Sequence, residues 1–317
     1  MAKLINTFSW SFSAANDFEQ CPRKRYWAKY ASWGGWDKKA TTLQKTAYRL
    51  NKMDNIYSIQ GQVTEQTIMW ILREHQQSRA VTAEQAYDTI ARPVFKRCWS
   101  ESKRGDWRVR PKQFCCLREH YHELWTPEEE HKRVEALVAH TKICLQNFIE
   151  RTLPRIAHVQ HEQEIPVVTP EHGGDPESFL FNGVKIYAIP DYVYEIDGVF
   201  HIHDWKAGKV KSEHAHQLAL YGLWAHEKYN VSLEHICCYV EYLATGKVAP
   251  VVFGEEQLEE ITGMIGESVS SMSMYLQRED LAANEPVPQE EWDMTPDIDL
   301  HCKYCNFTEL CKPEQDA

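Results

Sequence analysis

Apolar and polar positions recur with changing period along this chain of 317 residues, and the changes divide it into helical and extended stretches. Between Gly61 and His75, residues Glu65, Ile68, Met69 and Leu72 fall at i, i+3, i+4 and i+7, one face of a helix. That spacing turns a carboxylate, Glu65, inward with the apolar side chains. Upstream, SWSFSAANDFEQCPRKRYWAKYA opens with Ser and Asn capping residues and places Phe18, Cys21 and Tyr26 at near-helical spacing, predicting a helix through Pro22. From about residue 80 to 156 the pattern is mostly helical, with polar breaks near SESKRGDWRVRPK and TPEEEHK. Strand character begins near IAHVQHEQEIPVVTP. Gly173-Gly174 then marks a loop and Asn182-Gly183 a hairpin turn. KIYAIPDYVYEI and VFHIHDWKAG are rich in β-branched and aromatic residues, and Asp197-Gly198 between them predicts a second hairpin. A helix over 212–229, an alternating strand ICCYVEYLAT and a helix over 255–276 follow.

The order of helices, strands, helix, strand and helix predicts an α/β (mixed α+β) fold, with a mixed sheet flanked by helices and a helical insertion. One domain of 317 residues accommodates it. It divides into an N-terminal segment (1–60), a motif helix with the insertion (61–160), a core (161–250) and a C-terminal helix with a cysteine cluster (251–317). No apolar run reaches membrane-spanning length, and MAKLINTFSWSFS lacks the long apolar region of an export signal. Ten cysteines, some adjacent, do not form a disulfide-framework pattern, so a reducing cytoplasm is expected.

Formal net charge is −11, which argues against a simple polyanion-coating protein. The acidity is local, however. Residues 251–317 hold 16 acids against 3 bases, a net −13, leaving about +2 on the remainder. The main part of the chain can therefore carry a positive channel, and the acidic end can serve as a docking surface.

The predicted second hairpin carries the chemistry. Side chains alternate faces along a strand, so Asp204 and Lys206 share one face while His203 and Trp205 point to the other. Asp191 sits on the paired strand. Two carboxylates, joined by Glu65, suit a hard divalent cation such as Mg²⁺, and a neighbouring ammonium suits a nucleophilic water and developing charge. Taken alone, Asp-x-Lys fits a surface salt-bridge ladder better than a catalytic site. The following helix adds Gln217, Tyr221 and Trp224 at i, i+4 and i+7, and a Gln on a buried face requires a partner.

The ordered set resembles the RecB-like branch of the PD-(D/E)XK nucleases, whose motifs read here as GQVTE, IPD, DWKAGK and QLALY. The resemblance implies a restriction-endonuclease-like core and a deoxyribonuclease using Mg²⁺ or Mn²⁺. It implies Asp191 and Asp204 as metal ligands, Glu65 completing the site, and Lys206 as the catalytic lysine. It further implies Gln217 and Tyr221 supporting the site or contacting DNA. Many members have His where Glu65 stands. An exonuclease acting on DNA ends or single strands is the expected type, and a catalytically dormant DNA-binding or scaffold subunit is the alternative.

CKYCNFTELC places Cys302, Cys305 and Cys311 within ten residues, and three thiols need a fourth ligand from His301 or a distant residue. One Cys before the core and three after it resemble the iron–sulfur subset of RecB-like nucleases, which includes AddB-like and CRISPR-adaptation nucleases. FEQCPRKRYW and Phe307 carry that likeness. It implies Cys21 as the fourth ligand of a structural 4Fe–4S cluster, with zinc as the alternative. Cys98, Cys115, Cys116, Cys144, Cys237 and Cys238 read as core thiols. KRCWSESKRGDWRVRPK (96–112) holds seven bases and two acids with Trp99 and Trp107 interleaved, a candidate DNA contact. Arg23, Lys24, Arg25, Lys209 and Lys211 are further candidates. No GxxxxGK[ST] is present, so a helicase or integrase partner is a natural expectation.

Overall fold

The computed structural model describes residues 4–169 and 175–315; the Gly173-Gly174 loop lies outside them. The chain begins with β1 (Ser9–Trp10), α1 (Phe12–Gln20), α2 (Pro22–Tyr26), α3 (Thr42–Asn51) and α4 (Ile56–Gln76). The insertion follows as α5 (Ala83–Ala86), α6 (Arg92–Arg104), α7 (Arg118–Tyr121), α8 (Pro127–Asn147) and α9 (Leu153–Ile156). Next come β2 (Ser178–Phe181), β3 (Val184–Tyr187), β4 (Tyr192–Ile196), β5 (Val199–Lys206), α10 (Glu213–Tyr229), β6 (Ile236–Tyr242), β7 (Lys247–Val252) and α11 (Glu255–Ser273). The short α12 (Ile298–His301) and α13 (Thr308–Gln315) close the chain.

Local chemistry sets several boundaries differently from the period alone. The predicted helix through Pro22 breaks there, because the residue before a proline is driven out of the helical region. Cys21 is extended (φ −164°, ψ 104°), so its thiol stands at the junction of α1 and α2. Helix α4 starts five residues before Gly61, at a cap where the Asn55 side chain accepts from the Tyr57 and Ser58 amides. Strand β7 goes beyond the predicted pattern, and the expected strand near residue 160 is instead a short helical turn with one bridge, Glu164 to Tyr194. Both hairpin turns form as predicted, with Asn182 and Asp197 at φ 49° and 51° and the following glycines at 77° and 78°.

A four-stranded sheet in the order β4-β5-β6-β7 forms the core. Its β5–β6 pair is parallel and its two outer pairs are antiparallel, a mixed sheet as predicted. A second sheet, β1-β3-β2, takes part of the segment that reads as one long strand. Pro190 lies in the break between β3 and β4, since it has no amide to donate to a ladder. The core sheet is covered on both faces. On one face, Val193, Ile202 and Val240 pack with Leu218, Leu220, Leu223 and Trp224 of α10 and Ile261 and Ile265 of α11. On the other, Tyr192, Tyr194 and Trp205 pack with Ile68, Ile71 and Leu72 of α4 and Leu145 and Phe148 at the end of α8. Gly222 permits the close seating of α10, since a Cβ there would lie 2.4 Å from the Phe253 ring. A third cluster of Trp27, Leu50, Trp107, Cys116 and Phe307 ties the chain's two ends together.

Candidate active site

Strand alternation puts Asp204 and Lys206 on the α10 face of β5, as predicted. Asp204 is 1% exposed and is neutralised by Lys206, whose Nζ lies 3.0 Å from Oδ1 and 2.8 Å from Oδ2. The second approach lacks hydrogen-bond alignment, leaving Asp204 Oδ2 buried without a hydrogen-bond partner among the described residues. Lys206 Nζ also donates to Gln217 Oε1 (2.8 Å), and Gln217 Nε2 donates to the Tyr221 hydroxyl (2.7 Å). The i, i+4 spacing on α10 therefore forms a relay that holds the ammonium from its far side. The buried Gln has the partners its position demands.

Asp191 does not lie within the paired strand as expected from the sequence. It occupies the bend just before β4, one step beyond the Tyr192–His203 pair. This lets its Oδ2 accept from the Trp205 backbone amide at 2.6 Å. Its carboxyl is raised well above the usual carboxylate range, first by burial and then by Asp204 and Glu65, with Lys206 opposing. Glu65, about three turns into α4, is thus a charged neighbour of Asp191, and it is half-buried rather than turned fully inward. The Tyr221 hydroxyl is likewise held protonated by burial and by the same three carboxylates. His214 of α10 is lowered by burial and by Lys206 and lies 3.3 Å from the Tyr242 hydroxyl.

A cleft of about 930 Å³ opens onto these groups and is lined by Glu65, Asp191, Asp204, Lys206, Lys209, Gln217 and Tyr221. Its opposite wall is the insertion. Lys132, Arg133, Ala136, Leu137 and His140 of α8 line it at i, i+1, i+4, i+5 and i+8. Sequence reasoning missed these cations. Their one signal is helical spacing on a common face, and nothing local says which face meets the hairpin. Behind α4, a second cavity of about 510 Å³ shares Glu65 and Asp191, so the carboxylates are reached from two sides.

Several expected site residues stand elsewhere. Arg23 is 4% exposed and donates through Nε to the Trp292 carbonyl, so it is a structural residue rather than a DNA contact. Trp107 is 5% exposed, donates to the Ser102 carbonyl and packs edge-on against Tyr121, leaving no ring face for a base. His203 is on the opposite face of β5, as read, and is buried, bonding Glu241 at 2.5 Å. Glu241 also accepts from the Thr152 hydroxyl. Cys98 and Cys115, read as core thiols, are joined in a disulfide.

The four cysteines of the chain ends come to one region. Cys305 follows a turn from Cys302, and its thiol is pushed up to about 11, first by burial, with Cys311 and Cys21 among its charged neighbours. The Phe307 amide points at Cys305 Sγ (3.4 Å), and the Trp27 indole donates to Cys311 Sγ (3.2 Å). Among the described residues, no three His, Cys, Asp or Glu side chains are gathered tightly enough to hold a metal ion as they stand.

A carboxyl raised by burial and by its neighbours, a second carboxylate and a positioned ammonium line one cleft, an arrangement suited to hydrolytic or acid–base chemistry. The chain belongs to the PD-(D/E)XK nuclease superfamily, whose family model matches residues 9–312. It is therefore placed among nucleases that cleave phosphodiester bonds. No curated protein matches the chain by sequence. No helix among the described residues is long and apolar enough to cross a membrane.

Proposed function

We propose that the chain is a metal-dependent deoxyribonuclease of exonuclease type whose active site comprises Asp191, Asp204, Glu65 and Lys206. The observation that carries this reading is the buried Asp204–Lys206 pair with Asp191 and Glu65 lining the same cleft. The Asp191 carboxyl is raised well above the usual range, first by burial and then by Asp204 and Glu65, and Asp204 keeps one oxygen buried without a hydrogen-bond partner among the described residues. Such a donor set fits a hard divalent cation, which relieves mutual repulsion and takes oxygen ligands. Bound there by Asp191, Asp204 and Glu65, Mg²⁺ or Mn²⁺ supplies charge neutralisation at the scissile phosphate and a more acidic water.

The protein's own groups supply orientation. Lys206, held by Asp204 and Gln217, presents an ammonium to the developing charge or to the attacking water. Tyr221 fixes Gln217, so the relay limits where Nζ can point. Arg133 and Lys209 border the same cleft and suit the flanking phosphates of a strand, with Lys132 beside them paired with Glu128 (2.7 Å).

Cys21, Cys302, Cys305 and Cys311 fit a four-thiolate 4Fe–4S cluster by donor chemistry, and the two N–H groups directed at sulfur suit thiolates. Closing a loop between residues 21 and 302 would constrain the unfolded chain, which makes the role structural. Anaerobically purified protein should absorb near 400 nm and contain iron; zinc alone in colourless protein refutes the cluster.

The deciding experiment is cleavage of end-labelled single- and double-stranded DNA, beside RNA, with Mg²⁺, Mn²⁺ or EDTA, for the parent and Lys206→Ala. Metal-dependent mononucleotide release lost in the variant supports the exonuclease. A ladder of internal cuts overturns that type. Folded, metal-supplied protein that binds DNA and cuts no substrate leaves the scaffold reading in its place.

A further inference from the structure

The insertion's basic stretch divides into two halves with different electrostatics. Around α6, three of the four Lys and Arg side chains bordering its cavity are internally neutralised: Arg92 pairs with Asp88, Lys103 with Glu130 and Arg104 with Asp106. The cavity they border, lined by Phe95 and Trp99, is therefore not a strongly charged surface. The turn after α6 is different. It faces α3 across a groove of about 750 Å³ whose walls carry Lys38, Lys45, Arg49, Arg108, Arg110 and Lys112, with Asp37 as the single carboxylate.

None of these six cations makes an ion pair with a carboxylate among the described residues. Lys45 donates to the Lys38 carbonyl (2.8 Å), Arg49 to the Thr46 hydroxyl (3.1 Å) and Arg110 to the Gln113 amide oxygen (3.4 Å). Arg108 lies over the buried Trp107 ring. Asp37 accepts from the Lys39 amide, and Glu309, beside the adjoining cavity, is engaged by the Tyr121 hydroxyl. Crowding is felt nearby, since Lys52 is lowered by burial and then by Lys112. A protein of net charge −11 that gathers six unpaired cations in one groove keeps them against their own repulsion. Trp36 stands at the rim, 46% exposed and braced edge-on by Trp33 and Tyr48. The groove shares no lining residue with the active-site cleft.

We propose that this groove is a second nucleic-acid site, holding the phosphate backbone of a single-stranded segment while Trp36 stacks on an unpaired base. The inference rests on the nuclease reading for its choice of polyanion. Charge complementarity favours a polyphosphate chain, and an exposed, braced indole among cations suits single strands because every base has a π-face.

The test is binding of fluorescein-labelled single-stranded and duplex DNA to the full chain in EDTA, by anisotropy over a range of KCl. The variants are the triple Lys45→Ala, Arg110→Ala, Lys112→Ala and the single Trp36→Ala. Three lost phosphate contacts should flatten the slope of log K against log salt by about 2 on single strands, roughly 0.7 per contact. Affinity at low salt should fall at least about tenfold. Trp36→Ala should weaken single-strand binding by about tenfold, within the range for one stacked base, and leave duplex binding unchanged. Parental affinity and slope in the triple variant overturn the proposal. Polyglutamate competing as well as DNA also overturns it, because the groove then takes an acidic protein. Hydrolysis of bis(p-nitrophenyl) phosphate, too small to span the groove, should stay at the parental rate in all variants. A parent inert toward every phosphodiester counts against the nuclease reading alone, since the binding slopes still decide the groove.

Discussion

Replacing Lys206 by Met tests whether the ammonium is the counter-charge of a buried carboxylate as well as a catalytic group. Asp204 is 1% exposed, its side chain touches one cation, and that cation is 20% exposed along its side chain. Removing one partner of a fully buried pair costs about 3–5 kcal/mol, and the exposure of Lys206 places this pair toward the low end, at about 3 kcal/mol. Asp204→Asn removes the charge that needs Lys206, so the double variant should recover part of the loss. A double-mutant cycle by urea unfolding in EDTA should give a coupling of about 1.5 kcal/mol or more. In the same proteins, cleavage should fall by about 10²-fold or more in each single variant and should not recover in the double. Additive effects on the unfolding midpoint, with coupling near zero, would refute the account of Lys206 as the neutralising partner. Recovery of cleavage in the double variant would refute its catalytic role.

Other outcomes follow from the same geometry. Asp191 has a folded pKa raised above its unfolded value, so its stabilising contribution is present at acid pH and is lost as pH rises through the folded value. Asp191→Asn should therefore raise the melting temperature of metal-free protein at neutral pH, with the advantage shrinking toward acid pH, while cleavage is abolished; equal melting curves at both pH values count against the carboxylate crowding. Glu241→Leu strands the buried His203 and Thr152 side chains and should destabilise by about 2–4 kcal/mol in urea, with the cleavage rate per folded molecule unchanged. Gly222→Ala drives a methyl against the Phe253 ring and should lower stability by about 1–3 kcal/mol despite the better helix residue, measured by thermal unfolding.

Much of this site follows from short-range rules. Two-residue turns at Asn182-Gly183 and Asp197-Gly198 need only left-handed backbone, and period-two alternation then puts Asp204 and Lys206 together. A helix period brings Gln217 under Tyr221, and the same period turns Glu65 toward the core. These relations are encoded within about ten residues, and they sufficed for the mixed fold and the superfamily. What tertiary structure decided lies between distant segments. Pro190 moves Asp191 out of its strand, but only the β4–β5 register delivers its carboxylate to the Trp205 amide. Composition alone ranks Arg23 and Trp107 as nucleic-acid contacts, yet Trp292 and Tyr121 cover them from elsewhere in the chain. Whether a cation is spent on an ion pair is likewise settled by its neighbours in space. That separates Lys103 from Arg110 within one basic stretch and puts Arg133 in a cleft with carboxylates that come later in the chain. Local sequence sets which side chains share a face. Burial and charge pairing depend on what packs over that face, and those partners are fixed only when the chain closes on itself.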